Sequence, residues 1–190
     1  MAAVGSAYTL MVFLISILLG LSMGSGTVFS LQYGAGDLSA LRRSIYVSLL
    51  LIGTVTILLN VAVFLWLDPI LRWLQVPYDI YSLMRNYLWI IFWGIVFTFL
   101  YNFYAALLRA VGDSVTPLWF LAVSVVLNIG LDLFLILVLD QGIEGAAVAT
   151  VIAQGTAASG ILLYTYKTRP ELRLHREDTV SYTHLTLPTI

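Results

Sequence analysis

Long apolar stretches alternate with short polar connections along almost the whole chain. Five stretches contain the roughly 20 consecutive apolar residues that are needed to cross about 30 Å of hydrocarbon. They run over positions 6–31, 44–67, 87–108, 117–139 and 145–166. Helices in the core of a soluble protein would carry polar faces, which these stretches lack. The pattern therefore predicts an all-α fold, a polytopic transmembrane bundle of five helices.

The connections between the stretches carry turn-forming residues. They are G-A-G-D at 34–37, D-P at 68–69, G-D-S at 112–114 and D-Q-G at 140–142. Pro117 suits the first turn of the fourth helix, and Asp113 or Ser114 is expected to cap it. Arg109, Gly112, Asp113 and Pro117 are therefore predicted to form a structural turn, with a gating salt bridge from Arg109 as the alternative.

Composition supports a membrane protein and excludes several other classes. The chain is 61% hydrophobic and 10% charged, against about 25% charged in ordinary soluble domains. Its net charge of −1 argues against nucleic acid as a partner, since a nucleic-acid-binding surface is basic. There is no cysteine, which excludes disulfides and thiol chemistry. The first stretch lacks a basic leading segment and a cleavage site, so it is interpreted as a span and not as a signal peptide.

Lysine and arginine fall mainly on one side of the predicted membrane. Counted over alternate connections, one side holds seven such residues and the other side holds two. The seven are Arg42, Arg43, Arg109, Lys167, Arg169, Arg173 and Arg176, and the two are Arg72 and Arg85. The positive-inside rule then predicts a multi-pass protein of the cell (plasma) membrane, with the start outside and the end cytoplasmic. An outside start without a signal suggests that at least one span precedes these five.

Asp132 is the one charged residue within the five stretches. A carboxylate at that depth costs about 2.5–3.5 kcal/mol on insertion scales, so it is expected to have a partner, a water-filled cavity or a function. Asn128 lies four residues earlier and therefore on the same helical face. The pair suggests an ion-coupled transporter; a purely structural, hydrogen-bonded acid is the alternative.

Four segments, taken in order, resemble the N-terminal lobe of the multidrug and toxic compound extrusion (MATE) transporters. They are 32–43, 101–118, 127–137 and 142–155, and the most specific pieces are R-x-x-G-D-x-x-x-P at 109–117 and N-x-x-x-D at 128–132. The resemblance covers about residues 2–170 and maps them onto the second to sixth of the family's twelve helices. It implies that the first helix and the whole C-terminal lobe are absent, and that Met1 is an internal or arbitrary start.

The resemblance implies a cation-coupled antiporter that exports drugs or other xenobiotics while H⁺ or Na⁺ enters. Its site residues would be Asn102, Asn128, Asp132 and Thr150, with Gln154 as a candidate lining residue of the cavity. Amide, carboxylate and hydroxyl oxygens are hard ligands that suit Na⁺, and the same group can hold a proton instead. No cofactor is expected beyond the coupling ion. The expected partners are the lipid bilayer, small organic and mostly cationic substrates, and the rest of the parent protein.

Simpler roles remain open for several of these residues. Asn128 can act as an interhelical hydrogen-bonding residue, Thr150 can bond a carbonyl of its own helix, and Asn102 can engage neighbouring tyrosines. At the level of the protein, the alternatives are a flippase of lipid-linked oligosaccharide from the same superfamily and a non-transporting membrane scaffold. No nucleophile–base pair or phosphate loop indicates an enzyme.

Two terminal segments are predicted to lie outside the partial lobe at 1–170. Residues 171–178, which contain Arg173 and Arg176, are predicted to be a basic segment on the cytoplasmic side. Residues 179–190, T-V-S-Y-T-H-L-T-L-P-T-I, resemble translated sequencing-adapter read-through and are expected to be non-native.

Overall fold

The computed structural model describes residues 2–73 and 75–174, with side chains from Val12 onward. It contains five long helices, and each is long and apolar enough to cross a membrane. The helices are α1 Ala2–Gly34, α2 Leu38–Trp73, α3 Tyr78–Ala110, α4 Val115–Leu133 and α5 Gly142–Thr168. A π-helical turn, Phe134–Val138, continues α4, and a 3-10 turn, Pro170–Leu172, follows α5. The prediction of an all-α bundle with five spans is confirmed.

One predicted turn is wrong. The D-P pair at 68–69 was expected to end the second helix, yet α2 continues through Pro69 to Trp73. The chain turns later, at Gln75, whose φ is 53°. Proline removes one backbone hydrogen bond from a helix, but Leu67 and Leu71 on either side of it are fully buried in the core. Their packing outweighs the lost bond, so the helix persists.

The turn between α3 and α4 is built from Gly112 and Asp113. Gly112 has φ +88°, a conformation that costs glycine little because it has no Cβ. The N–H groups of Gly112 and Asp113 donate to the carbonyls of Arg109 and Leu108 at 3.1 and 2.9 Å, which is the Schellman arrangement at a helix end. Asp113 then accepts the backbone N–H and the hydroxyl of Thr116 at 3.0 and 2.8 Å. Asp113 therefore caps α4, and the adjacent serine does not.

The pKa of Asp113 is set by opposing effects. Burial alone would raise it, but the hydrogen bonds from Thr116 and the positive charge of Arg169 outweigh burial and hold the pKa below its ordinary value of 3.8. Because the folded value is the lower one, the carboxylate contributes its full stabilisation above about pH 4. That stabilisation is lost as the pH falls through the lowered value.

The Asp113→Ala variant is expected to lower the free energy of unfolding by about 1 kcal/mol at pH 7, the usual loss for a helix cap. The difference from the native chain should shrink on acidification toward pH 3. Thermal unfolding of the chain in detergent micelles at several pH values measures both effects. Asp79→Ala, at an exposed carboxylate, is the control and should change little. If the free energy of unfolding lost in Asp113→Ala does not change with pH, the assignment of Asp113 as the cap of α4 is contradicted.

Helix α3 lies at the centre of the bundle. It contacts the four other helices, and its most extensive interface is with α5. Helices α1, α2 and α3 pack against one another, whereas α4 packs mainly on α5. In the described part of the chain α4 makes no contact with α1 or α2. Helix α4 is therefore the outermost helix, held to the bundle through α5.

The core is aromatic and contains one buried amide that sequence reasoning missed. Phe29, Phe92 and Phe103 are fully buried, and the rings of Phe29 and Phe103 meet edge to face at 5.9 Å between α1 and α3. On α2, Asn60 is 7% exposed and its Nδ2 donates to the carbonyl of Phe92 at 2.7 Å. This bond ties α2 to α3. Its signal in the sequence is a single asparagine within an apolar span.

The charged residues separate to the two ends of the bundle. At the end that contains the α3–α4 turn, Arg169 lies 3.7 Å from Asp113. Leu172 is also buried there against the core, so packing continues past the predicted domain boundary at residue 170. Six of the seven basic residues of the larger group are at this end: Arg42, Arg43, Arg109, Lys167, Arg169 and Arg173. Arg176 and the tail at 179–190 lie outside the described residues.

Candidate cation site between α4 and α5

Helices α4 and α5 run antiparallel and meet along a line of polar and small residues. Ser124, which is buried, donates its Oγ hydrogen to the carbonyl of Ala153 at 3.0 Å. Closer to the start of α4, a Cβ added to Gly160 would lie 2.6 Å from the ring of Phe120. The missing side chain at Gly160 thus permits the close approach of the two helices. Sequence reasoning did not identify Ser124, although it lies one helical turn before Asn128.

Asn128 and Thr150 meet in this interface. Asn128 Nδ2 lies 3.4 Å from Thr150 Oγ1, and the Thr150 hydroxyl donates to the carbonyl of Ala146 at 2.9 Å. Thr150 therefore bonds its own helix, as the simpler interpretation expected, and also contacts α4. Because its hydrogen is used, Thr150 Oγ1 offers only lone pairs to the interface. In this contact the Asn128 Nδ2–H donates to Thr150 Oγ1, so one Thr150 lone pair and the Asn128 amide oxygen remain available to a small cation.

Asp132 lies one turn beyond Asn128 on the same face of α4. Its side chain is half-buried, and its Oδ1 atom is buried with no hydrogen-bond partner among the described residues. Tyr87 of α3 lies within electrostatic range of the carboxylate. A buried carboxylate oxygen without a partner is costly, because it has lost water and gained no donor. The site therefore favours a bound cation, a proton or a donor from outside the described residues.

The π-helical turn begins two residues after Asp132. Its one buried residue is Leu135, which packs against Gly145 of α5, where an added Cβ would lie 3.1 Å from Leu135 Cβ. The backbone N–H of Gln141 donates to the carbonyl of Leu135 at 3.0 Å. The π-turn and Gly145 therefore determine how the end of α4 packs against α5, close to Asp132 in the sequence.

Asn102 is the predicted ligand that the structure does not bring to this group. Its Nδ2 donates to the carbonyl of Thr98 on its own helix at 2.8 Å. The adjacent Tyr101 hydroxyl donates to the carbonyl of Pro117 at 2.9 Å, which places this part of α3 beside the start of α4. Asn128 lies 11 residues further along α4, a rise of about 16 Å. Asn102 is therefore far from Asn128 along the membrane normal.

Gln154, the candidate lining residue, packs between α3 and α5. A Cβ on Gly94 of α3 would lie 2.5 Å from Gln154 Oε1 and 3.2 Å from a methyl carbon of Val151. The absence of a side chain at Gly94 therefore makes room for the Gln154 amide. On the same face of α3, the Thr98 hydroxyl donates to the carbonyl of Gly94 at 3.1 Å.

Arg109 lies exposed at the end of α3. Within residues 2–73 and 75–174 it makes no ion pair; the carboxylate of Asp113 pairs with Arg169 instead. The predicted structural turn is therefore held by Arg169 as well as by the four residues that the motif contains. The structure offers no support for the alternative in which Arg109 forms a gating salt bridge.

Five long apolar helices, two of which meet along a line of polar residues, define a multi-pass membrane protein. The MatE family model matches residues 1–134, and the chain belongs to this family.

The names of several relatives refer to multidrug resistance or export. The chain is 40% identical over 166 residues to the probable multidrug resistance protein YpnP of Bacillus subtilis, covering 87% of this chain and 37% of the relative. It is 34% identical to the probable multidrug resistance protein YoeA of the same organism, covering 94% and 39%. It is 32% identical to the multidrug export protein MepA of Staphylococcus aureus, covering 85% and 37%. The chain thus spans about two fifths of the length of these relatives.

Solved structures share the fold. The Vibrio cholerae MATE transporter VcmN in its bent form is 25% identical, with a TM-score of 0.83 over 95% of this chain and 41% of that one. An inward-facing multidrug resistance MATE family transporter is 22% identical with a TM-score of 0.82, and an outward-facing one gives 0.81. The near-equal scores show that the fold of these five helices is shared with both structures.

Proposed function

We propose that this chain is part of one lobe of a cation-coupled antiporter that exports drugs or other xenobiotics, and that its role is to bind the coupling ion. The observation that carries the proposal is the buried, unpartnered Oδ1 of Asp132 beside the Asn128–Thr150 contact. Membership of the MatE family and relatives named for multidrug resistance or export support drug export as the coupled process. The proposal assigns the chain no catalytic reaction.

Asp132 provides the charge that couples an ion to a conformational change. In one form, Na⁺ is held by the Asp132 carboxylate, the Asn128 amide oxygen and Thr150 Oγ1, all hard oxygen ligands. In the other, a proton on the Asp132 carboxylate removes the cost of a buried charge. Either ion changes the charge at the α4–α5 interface by one unit, enough to shift the balance between two helix packings. Organic substrate would then be released as the cation enters.

The proposed orientation follows from the charges at the two ends. The end that contains the α3–α4 turn and six of the basic residues is cytoplasmic by the positive-inside rule, and the protein lies in the plasma membrane. Asp132 lies 17 residues after the start of α4 at Val115, a rise of about 25 Å, which places it in the outer half of the membrane. The coupling ion therefore has a short route from outside and a longer one to the cytoplasm.

The coupling ion can be assigned by imposing one gradient at a time. A full-length transporter that contains this chain would be reconstituted into proteoliposomes with a fluorescent organic cation. We expect dye transport to follow either a Na⁺ gradient at fixed pH or a pH step in the absence of Na⁺, because a single carboxylate binds one ion in each cycle. Dye movement that responds to neither gradient would overturn the proposal.

The oligosaccharide flippase is the second candidate, and the structure gives it less support. An anionic lipid pyrophosphate calls for arginine or lysine in the central cavity, whereas the basic residues of the described chain lie at the ends of the helices. The same proteoliposomes can be loaded with a fluorescent lipid-linked oligosaccharide. Translocation of that lipid without dye transport would favour the flippase, and a scaffold would show neither activity.

A further inference from the structure

The predicted site residues form a continuous polar row and not a single cluster. From Asp132, the row passes to Asn128 one turn away and across to Thr150 at 3.4 Å. Gln154 follows one turn later on α5, and its amide rests against Gly94 of α3.

The row then continues along α3. Thr98 bonds the carbonyl of Gly94 at 3.1 Å, and Asn102 bonds the carbonyl of Thr98 at 2.8 Å. The six polar members of the row are all half-buried: Asp132, Asn128, Thr150, Gln154, Thr98 and Asn102. Each of the six therefore keeps part of its surface open.

The row spans most of the distance that an ion must travel inward. Tyr87, which lies within electrostatic range of Asp132, and Asn102 are both on α3 and are separated by a rise of about 22 Å. From Asn102 to the end of α3 at Ala110 about 12 Å remain. The row therefore runs from the Asp132 site to within about 12 Å of the end of the bundle that carries the basic residues.

We propose that Gln154, Thr98 and Asn102 line a hydrated path through which the coupling ion leaves Asp132 toward the cytoplasm. This inference rests on the proposed function and adds a release route to it. In this proposal Asn102 lines the path, whereas it was expected from the sequence to be a ligand of the Asp132 site.

The chemistry of the row suits such a path. Thr98 and Asn102 each use one hydrogen for a carbonyl of their own helix, so the Thr98 hydroxyl oxygen, the Asn102 carbonyl oxygen and one Asn102 N–H remain for water. The Gln154 amide adds further hydrogen-bond donors and acceptors to the row. Members that follow one another on the same helix lie about one helical turn, 5.4 Å, apart, a gap that one bridging water spans. Polar side chains of this kind inside a membrane line water-filled cavities and ion pathways.

The test uses single cysteines, because this chain has none of its own. In the full-length transporter, with any cysteines outside this chain replaced by serine, Thr98→Cys, Asn102→Cys and Gln154→Cys would each be exposed to a membrane-impermeant cationic thiosulfonate. Only a hydrated thiol ionises and reacts. We expect all three to react at least tenfold faster from the cytoplasmic side, in inside-out vesicles, than two controls. The controls are Ile152→Cys, on the exposed face of α5, and Phe103→Cys, in the core.

Row cysteines that react no faster than the controls would overturn the path. The same holds if they react only from the outer side. The labelling does not depend on transport, so the two proposals fail separately. A labelled row in a protein that moves no dye would contradict the proposed function alone, and an unlabelled row in an active antiporter would contradict the path alone.

A paired substitution measures whether the path carries the ion. Gln154→Leu removes the amide at the centre of the row and is expected to slow ion-driven dye transport at least tenfold, whereas Gln154→Asn should retain most of it. Thr156→Leu is the matched control, because Thr156 is exposed on the opposite face of α5 and bonds only the carbonyl of Ile152. Equal rates for Gln154→Leu and Thr156→Leu would show that the row is not the route.

Discussion

The Asp132→Asn variant of the full-length transporter is expected to lose ion-driven dye efflux and to bind the coupling ion on the order of 100-fold more weakly. Asparagine has nearly the same shape as aspartate, but it can neither carry the proton nor balance the charge of Na⁺. Removing one member of a buried charge pair costs about 3 kcal/mol or more, and each 1.4 kcal/mol is a factor of ten in affinity. Dye transport in proteoliposomes and direct ion-binding titration measure the two effects.

Asp140→Asn is the matched control for this variant. Asp140 is the next acid along the chain, it is exposed, and its φ of 51° is a conformation that asparagine also tolerates. The control should transport at the native rate. Because Asp132 Oδ1 accepts no hydrogen bond from the described residues, Asp132→Asn should leave expression and membrane insertion unchanged. Native efflux by Asp132→Asn would remove the coupling role from this residue.

The Phe103→Ala variant is expected to lower the free energy of unfolding of this chain by about 3 kcal/mol. Phe103 is fully buried and its ring contacts those of Phe29 on α1 and of Phe99 and Tyr104 on α3. Removal of the ring leaves a cavity where α1 meets the central helix. This loss is at the lower end of the range for removing a buried phenylalanine ring, because lipid and not water surrounds the separated helices. Unfolding in mixed micelles by added SDS, followed by circular dichroism, measures the loss.

Phe134→Ala is the control for this prediction. Phe134 is also a phenylalanine in a membrane-spanning segment, but it is 49% exposed and its loss leaves no enclosed cavity. We expect a change within about 0.5 kcal/mol. Equal losses in the two variants would show that the aromatic core does not hold α1 to α3.

Short-range chemistry made the turns largely predictable, with one exception. Glycine followed by aspartate at 112–113 gives a helix end and a cap whatever the rest of the fold does, because the contacts lie within a few residues. At Asp68 and Pro69 the same local reasoning failed. The buried leucines on both sides of Pro69 make long-range contacts that local turn chemistry does not include.

The candidate site was predictable in part. Asn128 and Asp132 share a helical face by their spacing alone, and Thr150 joins them across the α4–α5 contact. The sequence did not reveal Ser124 or Tyr87, since a serine or a tyrosine in an apolar span has many structural roles. Asn102 lies near the start of α4 and not beside Asn128, which the sequence could not indicate because spacing within one helix carries no information about its height relative to another.

The order of residues was enough to predict the five apolar helices, the end that carries the basic residues and the one acid within a span. Span length, hydropathy and charge are properties of each segment alone, so they can be read without knowing its neighbours. The packing of α4 on α5, and the arrangement of the polar residues in a row and not in a cluster, became visible only in the folded chain. Those features depend on the rotation and relative height of whole helices, which are set by close contacts such as Gly94 with Gln154 and Gly160 with Phe120.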